Sequence, residues 1–452
     1  MNLPNHFFAD APEIPLTPGL IAESCRNLRR HQEKYLAAQP VEKIIKLLCE
    51  VAAEWRRPDY KFRRLALEHG PATAGFSRAT LERGLDALFA QFTAESFRAL
   101  LTQELGDARR LDGFAAEGAG KKTSMAVAPE LIAHICAGNL PNPAIVSIAS
   151  GLLLRSAQFV KCARGADLLP RLFAHSICEA DKKPGACIEI AVWRGGDEAL
   201  EGELFAHADC VTATGSEATL ASIRSRLPVA KRFLGYGHKL SFAFVSSDAF
   251  DGGRLRHIIE NAAADVTAWD QQGCLSPHVI YVETGGDVTP EKFAEILAEE
   301  LARRETSEPR GEISAEEAAA IALRRGIYEI RAAHEPEATR HWCSEGSTAW
   351  TVVFEAEPRF QMSCLNRFIY VKSAANLTEA LQAADAVRGN VSTVGIASGE
   401  GKRPKLAAEL ARWGVTRICP LGEMQNPPLT WRHDGRRALG DLITWSDFEQ
   451  QV

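Results

Sequence analysis

Residues 131–154, LIAHICAGNLPNPAIVSIASGLLL, contain no Asp, Glu, Lys or Arg over 24 positions, and Glu130 and Arg155 bound them. That length would suit a membrane span if it formed one helix. Pro141 and Pro143 stand in the middle beside Asn139 and Asn142, and a residue that lacks an N–H and fixes φ interrupts a helix there. The segment therefore predicts a buried strand, a tight turn and a buried helix.

The same alternation continues to about residue 245. AQFVKCA precedes a helix starting at Leu168, ACIEIAVW precedes one near Glu198, and DCVTAT precedes SEATLASIRSRL. Short apolar runs alternating with helices of this length imply a parallel, doubly wound sheet. Ligands of such sheets bind beyond the carboxyl ends of the strands, so the loops at 138–143, 161–167 and 214–219 are expected to share one crevice. A second α/β region runs from about 244 to 399. It has a helix near Ile258, the strand HVIYVE, the helix PEKFAEILAEELARR, the strands TAWTVVFE and RFIYVKS, and the helix LTEALQAADAV. Residues 304–312, RETSEPRGE, read as a polar surface loop.

Ahead of the sheets, residues 18–108 show apolar positions at three and four spacing, as in VEKIIKLLCEVAAEW, and are expected to be helical. The small and charged residues of 111–122, LDGFAAEGAGKK, read as a connector. The C-terminal TWRHDGRRALGDLITWSDFEQQV reads as a loop followed by a terminal helix. The expected organisation is a helical region over 1–122, a dinucleotide-binding domain over 123–243, a catalytic α/β domain over 244–420, and a segment 421–452 that returns to the cofactor domain.

Composition narrows the function classes. Of 452 residues, 46% are hydrophobic and 24% charged, which is ordinary globular composition. The net charge of −6 gives no electrostatic footprint for nucleic acid or an anionic membrane. Eleven cysteines without a CxxC fit neither a disulfide scaffold nor a zinc ribbon, and with no secretory signal visible at the N-terminus they point to a reducing cytoplasm. Cys49, Cys136 and Cys210 lie in apolar periodic patterns and are expected in the core. The twelve histidines show no HExxH or similar spacing, and no metal site is expected. FLGYGHKLS lacks the third glycine of a dinucleotide fingerprint, and VGIASGEGKRP lacks the spacing of a phosphate loop.

Five places carry candidate chemistry. Cys274, in WDQQGCLSP before the strand HVIYVE, sits on a glycine-flanked loop that can expose its sulfur and aim its own N–H at a developing oxyanion; a buried, inert thiol is the alternative. Asn139 in AGNLPNP offers two amide donors in a rigid turn, or simply forms that turn. Lys161 ends a strand with Arg164 three residues on, where cations can hold ribose hydroxyls or phosphate, or be solvated loop charges. Gly215 and Ser216 open a helix that could meet a pyrophosphate, although Ser is a common cap whatever the function. His238 lies between strands in FLGYGHKLS as a proton carrier or a structural histidine.

The order AGN, VK, TGS, GHK, QGC resembles the aldehyde dehydrogenase superfamily. More closely, DQQGCLSP, AGNLP and the C-terminal GEM with WRHDG are similar to the long-chain acyl-CoA reductases that supply aldehyde in bacterial luminescence. The resemblance runs from about Leu131 to the C-terminus. It implies an aldehyde-dehydrogenase-like α/β fold with two doubly wound domains, Cys274 as nucleophile, Asn139 as oxyanion donor, Lys161 at the adenosine ribose, and Gly215 with Ser216 near the pyrophosphate. Hydrolytic members carry a water-activating Glu in Glu-Leu-Gly-Gly-Lys, and the matching run here is Gly235-Tyr236-Gly237-His238-Lys239. Without that base an acyl-enzyme should persist to be reduced, with His238 beside the vacated position as a candidate base or proton donor.

The resemblance also implies a nicotinamide cofactor. Arg164 stands where members preferring NAD commonly have Glu, so NADPH is expected over NADH. The Glu that holds the nicotinamide ribose has no clear match; Glu345, Glu355 and Glu357 lie in the region. The expected substrate is a fatty acyl-CoA or acyl-carrier thioester, with an acyl-transfer protein as a possible partner and a homo-oligomer as the expected assembly. A CoA-acylating aldehyde dehydrogenase, an acyl-phosphate reductase, and a non-catalytic subunit docking an acyl-transfer partner are the alternatives.

Overall fold

The computed structural model describes residues 3–116, 122–138 and 140–449. Helices α1 (Pro18–His31), α2 (Val41–Trp55), α3 (Lys61–Ala74), α4 (Arg78–Ala90) and α5 (Ala94–Leu105) open the chain. Hydroxyl caps start several of them: Ser77 accepts from the Thr80 N–H and Thr93 from the Ser96 N–H. The apolar face of α2 ends in Trp55, which is fully buried, stacks on Phe89 at 4.9 Å, and donates its indole N–H to Ser176 Oγ at 3.0 Å. That contact ties the helices to the sheet that follows.

After β1 (Ala115–Ala116) and β2 (Thr123–Val127) come β3 (Leu131–Ile135), α6 (Asn142–Leu153), β4 (Ala157–Cys162), α7 (Leu168–Ala180), the short α8 (Lys182–Gly185), β5 (Ile188–Val192), α9 (Glu198–His207), β6 (Cys210–Thr214), α10 (Glu217–Arg226) and β7 (Arg232–Tyr236). The uncharged segment is thus strand, turn and helix, with a proline in the first turn of α6, where an absent N–H costs nothing. Strands β3–β7 form a parallel sheet in the order β5-β4-β3-β6-β7. Every residue of β3 and β4 is buried, which is why both read as mostly apolar runs.

The second half holds β8 (Leu240–Val245), α11 (Leu255–Thr267), β9 (Pro277–Glu283), α12 (Pro290–Ser307), α13 (Ala315–His334), β10 (Thr339–Cys343), β11 (Thr351–Glu355), β12 (Phe368–Ala374), α14 (Leu377–Ala383), β13 (Val391–Ala397), α15 (Arg403–Trp413), β14 (Arg417–Pro420) and β15 (Thr444–Phe448). Its seven-stranded sheet runs β10-β11-β12-β9-β8-β13-β14, parallel except for the antiparallel edge strand β10. One core cluster joins the N-terminal helices, the five-stranded sheet and Leu439, Leu442 and Ile443. Two others line the faces of the seven-stranded sheet. Among the described residues no helix is long and apolar enough to cross a membrane.

Four local expectations are corrected. The C-terminal segment ends in a strand, not a helix: β15 pairs antiparallel with β2, Trp445 opposite Ala126, so its backbone groups are satisfied by the ladder. Residues Arg304–Ser307 continue α12, because Arg304 pairs with Glu300 one turn back at 2.8 Å. The helix expected over LTEALQAADAV stops at Ala383, and a short 3-10 turn follows. Cys210 is buried, but Cys49 and Cys136 are only half-buried. Of the connector 111–122, Ala115 and Ala116 pair with β2, and 117–121 lie outside the described residues.

Candidate active site

The loop that carries Cys274 is built on an unusual backbone. Trp269, Asp270 and Gln271 have φ of 51°, 49° and 65°, and a second run, Leu365, Asn366 and Arg367, has 59°, 54° and 65°. Left-handed backbone costs an L-residue roughly 1–2 kcal/mol, so six such positions require fastening. Arg367, 1% exposed, supplies it. Its Nη2 lies 2.7 Å from Asp270 Oδ1, its Nη1 donates to Glu305 Oε2 at 2.9 Å and to the Glu308 carbonyl at 2.8 Å, and Asp270 Oδ2 accepts from the Gly311 N–H at 3.0 Å. The stretch that read as a polar surface loop is therefore a strap across the loop that leads to Cys274.

The two glutamines before Cys274 add to this. Gln271 Nε2 donates to the carbonyls of Pro277 at 2.7 Å and Phe368 at 2.9 Å, and Gln272 Nε2 donates to Asn366 Oδ1. Trp269 packs into a space on α4 that only Gly84 leaves free, since a Cβ there would lie 2.1 Å from the indole. On the other side Ser241 Oγ donates to the Cys274 carbonyl at 2.8 Å. A Cβ on Gly273 would lie 3.1 Å from Leu140, so the AGNLPNP turn reaches the nucleophile loop. Asn139 itself lies outside the described residues.

Cys274 is half-buried. Burial pushes its thiol up to about 12, the charge of Asp434 adds to that, and its own backbone N–H opposes both. At neutral pH it is therefore a thiol. Asp434 comes from the C-terminal WRHDG loop, and sequence reasoning gave this loop no role. It has φ 53°, a side chain 10% exposed, and an Oδ1 with no hydrogen-bond partner among the described residues. His433 stacks on Tyr236 with ring centroids 4.5 Å apart and planes 11° apart, and lies 4.6 Å from the Trp431 ring. Arg436 Nη1 donates to the Gly235 carbonyl at 3.1 Å. The loop thus packs against Tyr236 and Gly235, and a Cβ on Gly235 would meet Phe233 at 3.0 Å and Leu220 at 3.3 Å.

The other candidates lie at the carboxyl ends of strands. Lys161 is 4% exposed at the end of β4. Burial holds its ammonium down, Glu201 opposing, and it forms no ion pair within 4 Å among the described residues; Glu201 is engaged by Arg226 at 2.6 Å. Arg164 is exposed on the following loop. The Gly215 N–H donates to the Tyr236 carbonyl at 3.1 Å, and Ser216 Oγ accepts from the Thr219 N–H at 3.2 Å, capping α10. His238 is exposed between β7 and β8, and its charge acts on buried His278. The pKa of His278 falls to about 4, chiefly through burial, and its Nδ1 accepts from the Ser363 N–H at 3.1 Å. Glu355 is engaged by Lys372 at 2.7 Å and Arg331 at 2.6 Å, a structural use. Among the described residues no three His, Cys, Asp or Glu side chains gather as a metal site. A pocket of about 600 Å³ between α1, β5 and the N-terminal segment is lined by Glu189, His31 and Phe8 rather than by Cys274.

A seven-stranded sheet whose central strand β9 follows the Cys274 loop, together with a five-stranded parallel sheet, defines an aldehyde-dehydrogenase-like α/β fold. Solved structures agree on the fold: the putative aldehyde dehydrogenase PutA of Anabaena variabilis superposes with a TM-score of 0.70 at 17% identity, covering 96% of this chain and 93% of that one. The NAD-dependent benzaldehyde dehydrogenase of Corynebacterium glutamicum gives 0.69 at 17% identity, covering 96% and 91%. Glyceraldehyde-3-phosphate dehydrogenase GapN of Methanocaldococcus jannaschii, complexed with NADP, gives 0.64 at 14%, covering 96% and 95%. Within this fold the chain belongs to the acyl-CoA reductase (LuxC) family, which matches residues 36–445. It is 23% identical over 421 residues to the long-chain acyl-protein thioester reductase of Aliivibrio fischeri, covering 91% of this chain and 82% of that protein. It is also 23% identical over 425 residues to the Vibrio harveyi protein of the same name, covering 92% and 84%.

Proposed function

We propose that this enzyme reduces a long-chain fatty acyl thioester to the aldehyde through an acyl-cysteine on Cys274. The observation that carries the reading is Gly235: the base position of the hydrolytic enzymes holds no side chain, is crowded by Phe233 and Leu220, and has its carbonyl engaged by Arg436. An acyl-enzyme there has no carboxylate at position 235 to activate water, so it survives to be reduced. Cys274 attacks the thioester carbonyl, its own N–H and the Asn139 amide receive the oxyanion, and the thiol of the donor leaves with a proton. His238, exposed and beside His278, is the candidate carrier of that proton.

The residues fit a nicotinamide cofactor: Lys161 is a buried ammonium without an ion pair among the described residues, at a strand's carboxyl end, a donor suited to ribose hydroxyls. When bound, the cofactor supplies the hydride. Exposed Arg164, with Gly215 and Ser216 at the start of α10, supports NADPH over NADH, because a guanidinium can pair with a 2′-phosphate. On this reading residues 123–243 hold the cofactor, 244–420 carry the nucleophile, and 421–452 return across the cleft. The relatives' names favour an acyl group delivered on a protein thioester, with acyl-CoA as the small-molecule equivalent. Eleven free cysteines suit a reducing cytoplasm, and an assembly of identical chains completes the reading.

The test is product partition with palmitoyl-CoA and NADPH. Aldehyde in excess over free fatty acid supports the reading; fatty acid as the main product refutes it. In the same assay Arg164→Glu should shift preference from NADPH toward NADH.

A further inference from the structure

Two cysteines that the mechanism does not use face each other where β3 and β4 end. Ile135 pairs with Lys161 in the parallel ladder, and the Cys136 N–H continues it by donating to the Lys161 carbonyl at 2.9 Å. The one-for-one register thus sets Cys136 opposite Cys162, the last residue of β4. Opposed residues of neighbouring parallel strands lie on one face about 4.8 Å apart, inside the range of about 4.4–6.8 Å that a disulfide spans between Cα atoms. The neighbouring Cys136 thiol and burial both push the Cys162 thiol up. Cys162 is 1% exposed, whereas Cys136 is half-buried, so one sulfur can meet a reagent and the other stands behind it.

We propose that Cys136 and Cys162 form a reversible dithiol–disulfide site that takes a low-molecular-weight disulfide as its oxidant, and that closing it weakens cofactor binding at Lys161. The cofactor part rests on the reading of Lys161 given above. The Cys136 thiolate attacks the small disulfide RSSR and releases one RSH, and Cys162 then attacks the mixed disulfide and releases the second. The two protein thiols are oxidised, RSSR is reduced, and the two thiol protons leave on the two RSH. The closed bond must move the strand ends, and the loops beyond them have little slack: a Cβ on Gly138 would lie 3.2 Å from Ala163 Cβ. Lys161 is the residue between these elements, and its charge acts on both sulfurs. A cytoplasmic disulfide of this kind is transient and sensing rather than structural.

The test uses the full chain with Cys274→Ala, so that the nucleophile takes no part. After treatment with oxidised glutathione, the intact protein should be lighter by two hydrogens, and peptide mapping should join the peptides of Cys136 and Cys162. NADPH affinity, read by fluorescence, should weaken by about tenfold and return with dithiothreitol. Cys136→Ser and Cys162→Ala should each bind NADPH like the reduced protein and ignore the oxidant. Absence of the cross-link, or a cross-linked protein that binds NADPH unchanged, overturns the proposal. Failure of the reduced protein to bind NADPH overturns instead the role of Lys161, and with it the coupling.

Discussion

Arg367 and Asp270 form a buried ion pair, 2.7 Å apart, across 97 residues of sequence. Each sits in its own left-handed turn, and the pair clips the two turns together four residues before Cys274. The backbone that leads into Cys274 is therefore held by a contact that neither segment makes alone.

Removing one partner leaves the other charge buried. Arg367→Met should destabilise the protein by about 3–5 kcal/mol in chemical denaturation, and adding Asp270→Asn should restore part of the loss. An Arg367→Met protein as stable as wild type would show that the clip carries no energy.

Asp434 holds the Cys274 thiol up, so removing its charge should make the thiolate easier to form. In Asp434→Asn, alkylation of Cys274 by iodoacetamide at pH 8 should be faster than in wild type. In both proteins the rate should climb about tenfold per pH unit, without a plateau below pH 10. A slower variant would place Asp434 away from the sulfur.

Gly235→Glu tests the missing base. The crowding by Phe233 and Leu220 should cost about 1–3 kcal/mol of stability, and the surviving enzyme should release more fatty acid and less aldehyde. Unchanged product partition would argue that water is excluded by something other than the absent carboxylate.

Glu189 is half-buried, its carboxyl accepts from the Phe8 N–H at 2.8 Å, and desolvation of that carboxyl pushes its pKa up to about 8. Its folded value lies above its unfolded one, so the folded state keeps a proton that the unfolded chain loses. Stability is therefore lost as pH rises from about 4.5 to about 8, with a slope near 1.4 kcal/mol per unit for one proton. Glu189→Gln should lack that slope, so the difference between the wild-type and variant stability curves should carry it; parallel curves would contradict the assignment.

Burial on both faces makes β3 and β4 legible as mostly apolar runs, and Pro141 with Pro143 makes the turn after β3 legible. The sequence also singled out Cys274, Lys161 and Gly235. The Asp270–Arg367 clip was hidden because Trp, Asp, Gln, Leu, Asn and Arg give no local signal for left-handed backbone, and its partners meet only in the folded chain. Strand β15 was hidden for a similar reason: its ladder partner, β2, lies at the other end of the sequence. Cys136 read as core from its apolar neighbours, but it stands one residue beyond the last paired position of β3, where the sheet opens.

The central claim is an acyl group carried on Cys274. Brief incubation with palmitoyl-CoA in the absence of a nicotinamide cofactor, followed by acid quench and peptide mass analysis, should find palmitoyl on the peptide of Cys274 and none on the Cys274→Ala protein, and NADPH should discharge it as aldehyde. Label that persists in Cys274→Ala, or that never forms on the wild-type enzyme, would contradict the account.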